Sequence, residues 1–168
     1  MKKIIALIIA IVMVLSLAAC GSKKNEVAEA PAMKVEGTME ELLNKVVEIQ
    51  PVEFMGGSMT LDLTDTSEDG LWMVKNYTGL DNADSIKEAA FYEAMMGSIP
   101  YSMVMVRVAE GADAATVAAA MKSGIDQRKW ICVEAEKLMV VDNGQYVLMT
   151  MGPADMVEAV AAAFDGIL

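Results

Sequence analysis

The sequence predicts an α+β domain: an antiparallel sheet of about four strands in a ββαββα-like order, helices on one face, and one more helix ahead of it. Three observations carry that expectation. In Tyr101–Val108, Val104, Val106 and Val108 alternate with Met103, Met105 and Arg107, the two-residue period of a strand. Leu138–Val141 and Gln145–Met151 flank Asp142-Asn143-Gly144, a tight-turn signal that reads as a β-hairpin. The stretches after each, from Gly111 and from Pro153, change to helical spacing, and elements in this order pack as a sheet with helices layered on it.

Taken in order, Thr38-Met39-Glu40-Glu41 has the form of a helix capping box, with Glu41 at the third helical position. Leu42, Leu43, Val46, Val47 and Ile49 then give an apolar helical face that stops at Pro51. Val52–Leu63 holds strand-like pieces interrupted by Gly56-Gly57, Asp62–Gly70 is an acidic, turn-rich loop, and Leu71–Tyr77 suits another short strand. Ile86–Met96 contains Ala and Glu that favour a helix. It reads as a strand nonetheless, because the turn Gly97-Ser98-Ile99-Pro100 is too short to let a helix fold comfortably back beside the next strand. Gly111-Ala112-Asp113 leads into a helix through about Lys129, with Val117, Met121 and Ile125 four residues apart. Gly152-Pro153 starts the last helix, proline at the first helical position, with Val157, Val160, Ala161 and Phe164 as its buried stripe.

Ahead of this domain the chain opens with Lys2 and Lys3 and then runs apolar from Ile4 to Ala19, broken only by Ser16. A basic start, an apolar run and a small-residue end describe a secretory signal peptide. The run is shorter than the roughly 20 residues that cross a bilayer. Leu17-Ala18-Ala19-Cys20 resembles the lipobox of bacterial lipoproteins. That resemblance implies cleavage before Cys20, a diacylglyceryl group on its sulfur, and anchoring of the protein to the extracytoplasmic face of the cell membrane. A thiolate is the nucleophile such a thioether requires, and two or more acyl chains hold where one is marginal. The expected division is a signal peptide at 1–19, lipidated Cys20 and a flexible tether at 20–37, and a single domain at 38–168. A coil of the tether's length reaches about 20–25 Å.

Loss of residues 1–19 removes two lysines and no acid, taking the formal charge from −11 to −13. So acidic a body excludes nucleic acid as a partner, since phosphates need Lys and Arg for neutralisation. Lys23 and Lys24 are placed to touch lipid headgroups or simply to solubilise the tether. The chain has no histidine, and beyond Cys20 only Cys132 remains, so the expected use of Cys132 is as a small buried hydrophobe.

The segments VMVRVAEGADAATVAAAMKSGIDQRK and VVDNGQYVLMTMGPADMVEAVAAAF are similar to a family of bacterial lipoproteins known as domain of unknown function 4358. Gly144, Tyr146, Val147 and Phe164 stand at matching places. With the N-terminal helix and the GLDN segment at 79–82, the resemblance covers roughly residues 39–165. Trp130–Lys137 departs from the pattern, being shorter and lacking Tyr and Pro. The family implies a fold and a location but no catalytic residues and no cofactor.

Three groups of residues have the chemistry to bind something. Asp65, Ser67 and Asp69, followed by Gly70, match the opening of an EF-hand calcium loop, although Asn76 stands where a bidentate Glu is expected; the plainer reading is an acidic turn. Met103 and Met105, like Met149 and Met151, each put two thioethers on one strand face. Soft sulfur suits Cu(I), but a chain without His favours apolar packing. If Val104, Val106 and Val108 face the helices, then Tyr101, Met103 and Met105 line the opposite face. Either residues 52–77 cover that face, or it is an adaptable surface for a cell-surface protein or peptide.

Catalysis lacks its usual parts. Without His there is no Ser–His or Cys–His pair, and neither a nucleophile elbow nor a phosphate-binding loop is present. The expectation is a non-catalytic binding or interaction protein. The alternatives are a metal-ion (calcium) or small-ligand binding lipoprotein, and a surface hydrolase that uses carboxylates.

Overall fold

The expected capping box opens the fold. The Thr38 hydroxyl accepts from the Glu41 N–H at 3.2 Å, and the Glu41 carboxylate accepts from the Thr38 N–H at 2.9 Å, starting α1 (Met39–Ile49). The structure is a computed structural model that describes residues 37–130 and 132–167, with side chains through Phe164. The expected signal peptide, Cys20, Lys23, Lys24 and the tether before residue 37 lie outside them.

After α1 come β1 (Gly56–Thr60), α2 (Glu68–Thr78), β2 (Ile86–Ala94) and β3 (Ser102–Val108). The chain then forms α3 (Ala114–Gly124), β4 (Lys137–Asp142), β5 (Tyr146–Gly152) and α4 (Ala154–Ile167). The strands make one sheet in the order β1-β2-β3-β5-β4, with every neighbouring pair antiparallel. The architecture is therefore α+β, with five strands where about four were expected. Ile86–Ala94 is a strand, as the short turn after it requires.

Helices lie on both faces, which corrects the expectation of one. Register explains why. One row across the sheet runs Met59, Phe91, Val104, Met149 and Val140; the next runs Ser58, Tyr92, Met103, Thr150 and Met139 on the opposite face. The first face buries Val104, Val106, Val147 and Met149 with Val74 of α2 and Val117 and Met121 of α3. The second buries Met103, Met105 and Leu148 with Leu42, Leu43 and Val46 of α1 and Val160 and Phe164 of α4. Strands apolar on both sides need two covering layers.

Local chemistry accounts for the other differences. Gly56-Gly57 begins β1 instead of interrupting a strand, and the Ser58 and Thr60 hydroxyls donate to the Glu40 carboxylate at 3.3 and 2.9 Å, tying this edge strand to α1. Leu71–Tyr77 is helical, not extended. Ser67 caps α2, Glu68 and Asp69 complement its positive end, and Gly79, at φ 78°, closes it. The third helix stops at Gly124, earlier than its periodicity suggested, because it abuts Gly79: a Cβ on Gly124 would lie 2.1 Å from the Gly79 carbonyl oxygen.

If α1 is part of the cooperative unit, Leu43→Ala should cost about 2–5 kcal/mol in urea-induced unfolding, as for other fully buried leucines. A loss below about 0.5 kcal/mol, the usual range for surface changes, would mark α1 as a dispensable appendage.

Candidate functional site

Tyr101, Met103 and Met105 are each 0% exposed, so the exposed interaction face considered for them does not exist. Their cover is mainly α1 and α4, not residues 52–77, of which only Val52 and Phe54 pack on this face. The four strand methionines do not converge either. Met103 and Met105 belong to one core and Met149 and Met151 to the other, separated by the sheet. Cys132 is exposed, contrary to the buried role expected of it, because it sits in the irregular stretch between α3 and β4.

The calcium-loop pattern has a different use. Asp65 Oδ1 accepts from the Ser67 N–H at 2.9 Å, Ser67 Oγ accepts from the Gly70 N–H at 3.2 Å, and Asp69 already lies in the first turn of α2. A calcium loop turns sharply at its sixth residue and places ligands at positions 1, 3, 5 and 7, whereas here the helix already begins at position 4, Glu68. Gly70 serves close packing: a Cβ there would come 2.2 Å from the Asp65 carbonyl oxygen. Among the described residues no group of three or more acidic, Cys or His side chains could hold a metal ion. Asp65, Ser67 and Asp69 form a helix cap.

The most unusual polar group is Lys129, which no sequence pattern singled out. Its side chain is 5% exposed and its ammonium is ion-paired with Glu93. It also donates to Ser102 Oγ at 3.2 Å and to the Asn76 carbonyl at 3.4 Å, and lies 4.5 Å from the centroid of the Tyr77 ring. Tyr77 in turn stacks on Phe91 at 3.7 Å. Burial holds the Lys129 amine below its ordinary value, with the Glu93 carboxylate pulling the other way. Lys129 joins α2, the ends of β2 and β3, and the loop after α3.

Beside this pair lies a cleft of about 330 Å³ at the joined ends of α2 and α3, lined by Trp72, Lys75 and Asn76 on one side and Asp126 and Arg128 on the other. A larger cleft of about 440 Å³ lies between the start of α1 and the strands, lined by Met39, Leu61, Leu63, Asp62 and Glu88 among others. The Thr64 hydroxyl and N–H hold Asp62 below the usual carboxylate range, and Glu88 is paired with Arg107. A general acid needs the opposite of the Asp62 shift.

A third feature is apolar. The Met95 N–H donates to the Met55 carbonyl at 2.9 Å, bringing Met55, Met95 and Met96 together at one end of the sheet. They are 77%, 72% and 60% exposed. Gly37, where the described chain begins, is bonded through its carbonyl to Arg107 at the opposite end of the strands. No protein-family model, curated protein or solved structure matches this chain. No described helix is long and apolar enough to cross a membrane.

Three measurements check these assignments. Ser67→Ala should cost about 0.5–2 kcal/mol, the worth of a helix cap. Calcium at about 10 mM, above the need of the weakest extracellular sites, should leave the melting temperature unmoved, and a rise would restore the loop reading. Burial pushes the Tyr101 phenol up to about 12, with a smaller opposing pull from the Thr150 hydroxyl. The unfolded phenol ionises near 10.0, so the stabilisation is complete below that pH and lost as pH rises through about 12. Denaturant unfolding should show stability falling across this window, with a shallower slope in Tyr101→Phe; equal slopes would contradict the assignment.

Proposed function

We propose that the protein is a lipoprotein, anchored through Cys20 to the extracytoplasmic face of the cell membrane, whose domain is a non-catalytic binding module. The observation that carries the anchor is Leu17-Ala18-Ala19-Cys20 at the end of a basic and then apolar leader. The fold is compatible with it. The capping box opens the domain's first helix at Thr38, eighteen residues beyond Cys20. A place within the family of domain of unknown function 4358 belongs to this same proposal, supported by the burial of Tyr146, Val147 and Phe164.

With the Tyr101 face filled by helices, the Met55, Met95 and Met96 tip is the surface that suits a partner. Methionine is flexible and polarizable and adapts to irregular apolar shapes, and three exposed together are more than chance scatter of surface residues requires. The tip lies at the end of the sheet remote from Gly37, and Glu53 is exposed two residues before Met55. The partner that fits is a cell-surface protein segment with apolar side chains and a basic flank.

Cells fed labelled palmitate should label the wild-type protein and carry it in the membrane fraction. Cys20→Ala should be unlabelled, and label persisting in that variant would refute the anchor. In cross-linking of intact cells, a recurrent adduct should vanish when Met55, Met95 and Met96 are all changed to Asp in a protein that keeps its wild-type melting temperature. An adduct that survives the triple change would remove the tip from the interface.

A further inference from the structure

We infer that the cleft at the joined ends of α2 and α3 binds an anionic sugar unit, a pyranose ring carrying a carboxylate. The inference is independent of the lipid anchor and of the methionine tip.

The first support is charge. Acids outnumber bases 24 to 13 in the whole chain, yet this cleft is lined by Lys75, Arg128 and Lys129 against a single acid, Asp126. The acids paired with these three cations, Asp81, Glu134 and Glu93, lie outside the cleft lining. Arg128 is the one free to turn to a ligand, since the Lys75 ammonium also donates to the Gly79 carbonyl at 3.0 Å. Arg128 is 75% exposed and, among the described residues, its ion contact is to Glu134 at 3.6 Å, while Lys75 pairs with Asp81, which is 88% exposed. Exposed pairs of this kind are worth about 0–1 kcal/mol, so a ligand carboxylate displaces them at little cost. The planar guanidinium of Arg128 suits a carboxylate taken by two parallel hydrogen bonds.

The second support is Trp72. It is 61% exposed on the cleft wall, although a residue of its size is ordinarily well buried. An exposed indole offers a flat apolar face on which the C–H face of a sugar ring can lie, leaving the ring hydroxyls at the edge. Asn76 lines the same wall, and its side-chain amide makes no hydrogen bond among the described residues; it can both donate to and accept from a hydroxyl. Asp126 keeps one oxygen on the Arg128 N–H at 2.8 Å, leaving the other to accept from a second hydroxyl.

The third support is rigidity. Lys129 is pinned by Glu93 and Ser102 at the back of the cleft, and the Gly79–Gly124 contact locks the two helix ends that form its walls. A cleft that is already formed spends little of its binding energy on ordering. Its 330 Å³ lies at the small end of ligand sites, room for one or two sugar rings.

The test uses the full-length protein in detergent micelles and trigalacturonate as probe. In a Trp130→Phe background Trp72 is the only indole, so its fluorescence reports on the cleft. Saturable quenching is expected, weakened by salt. Isothermal calorimetry should show Arg128→Gln losing roughly tenfold or more in affinity, and Trp72→Ala losing binding altogether. Both side chains are exposed, so both variants should keep the wild-type melting temperature. No saturable change with trigalacturonate overturns the proposal, as does wild-type affinity in Arg128→Gln. Equal affinity for neutral maltotriose removes the anion from it. Competition by inorganic phosphate as strong as that of trigalacturonate removes the sugar.

Discussion

A strand that is apolar on both sides cannot lie at the surface of a domain, and β3 and β5 are such strands. Val104 and Val106 point one way, Met103 and Met105 the other, and all four are fully buried. Everything else in the architecture answers to this. Two helices are needed on each side, so the chain sends α1 and α4 to one face and α2 and α3 to the other. The weaker strands fall to the edges: β1 has one residue pair anchored by Glu40, and β4 is only half-buried along its length. Edge strands of this kind, short or partly covered, limit pairing with other chains.

Within so apolar a sheet the few polar contacts act as pins. Lys129 brings a positive charge to a place where water is nearly absent, and Glu93, Ser102 and the Tyr77 ring together make that tolerable. In return, four separate parts of the chain are held in one arrangement. The Gly79–Gly124 crossing does the same for two helix ends, using the absence of side chains to let backbones approach. Both pins lie beside the cationic cleft. The same region is where an exposed Trp72 and Arg128 face solvent.

How far these features could be read from the sequence depended on how local their causes are. The capping box at Thr38, the hairpin about Asn143-Gly144 and the stripe Val157, Val160, Ala161 and Phe164 rest on neighbours within a few residues, and all are present. Glu68–Thr78 shows the risk. Its cap, Ser67 with the Asp65 turn before it, uses the same oxygens at the same spacing as a calcium loop. The acids that follow and Gly79 beyond were the signals favouring a helix. The Met-Val-Met-Val run likewise carried its answer, since an unbroken apolar strand is buried on both faces. Reading its methionines as a separate, exposed set hid that.

By itself the sequence determined the kinds of most elements, Leu71–Tyr77 excepted, most of their limits, the α+β class, and through Leu17–Cys20 the expectation of a lipid anchor. Those depend on residue spacing along one chain and on turns closed by adjacent groups. Only the tertiary structure decided that the sheet is covered twice, that Lys129 meets Glu93, and that Trp72, Lys75 and Arg128 surround one cleft. Such meetings join residues tens of positions apart. Spacing along the chain does not encode them, because they follow from which helix finds which face when the apolar surfaces are buried together.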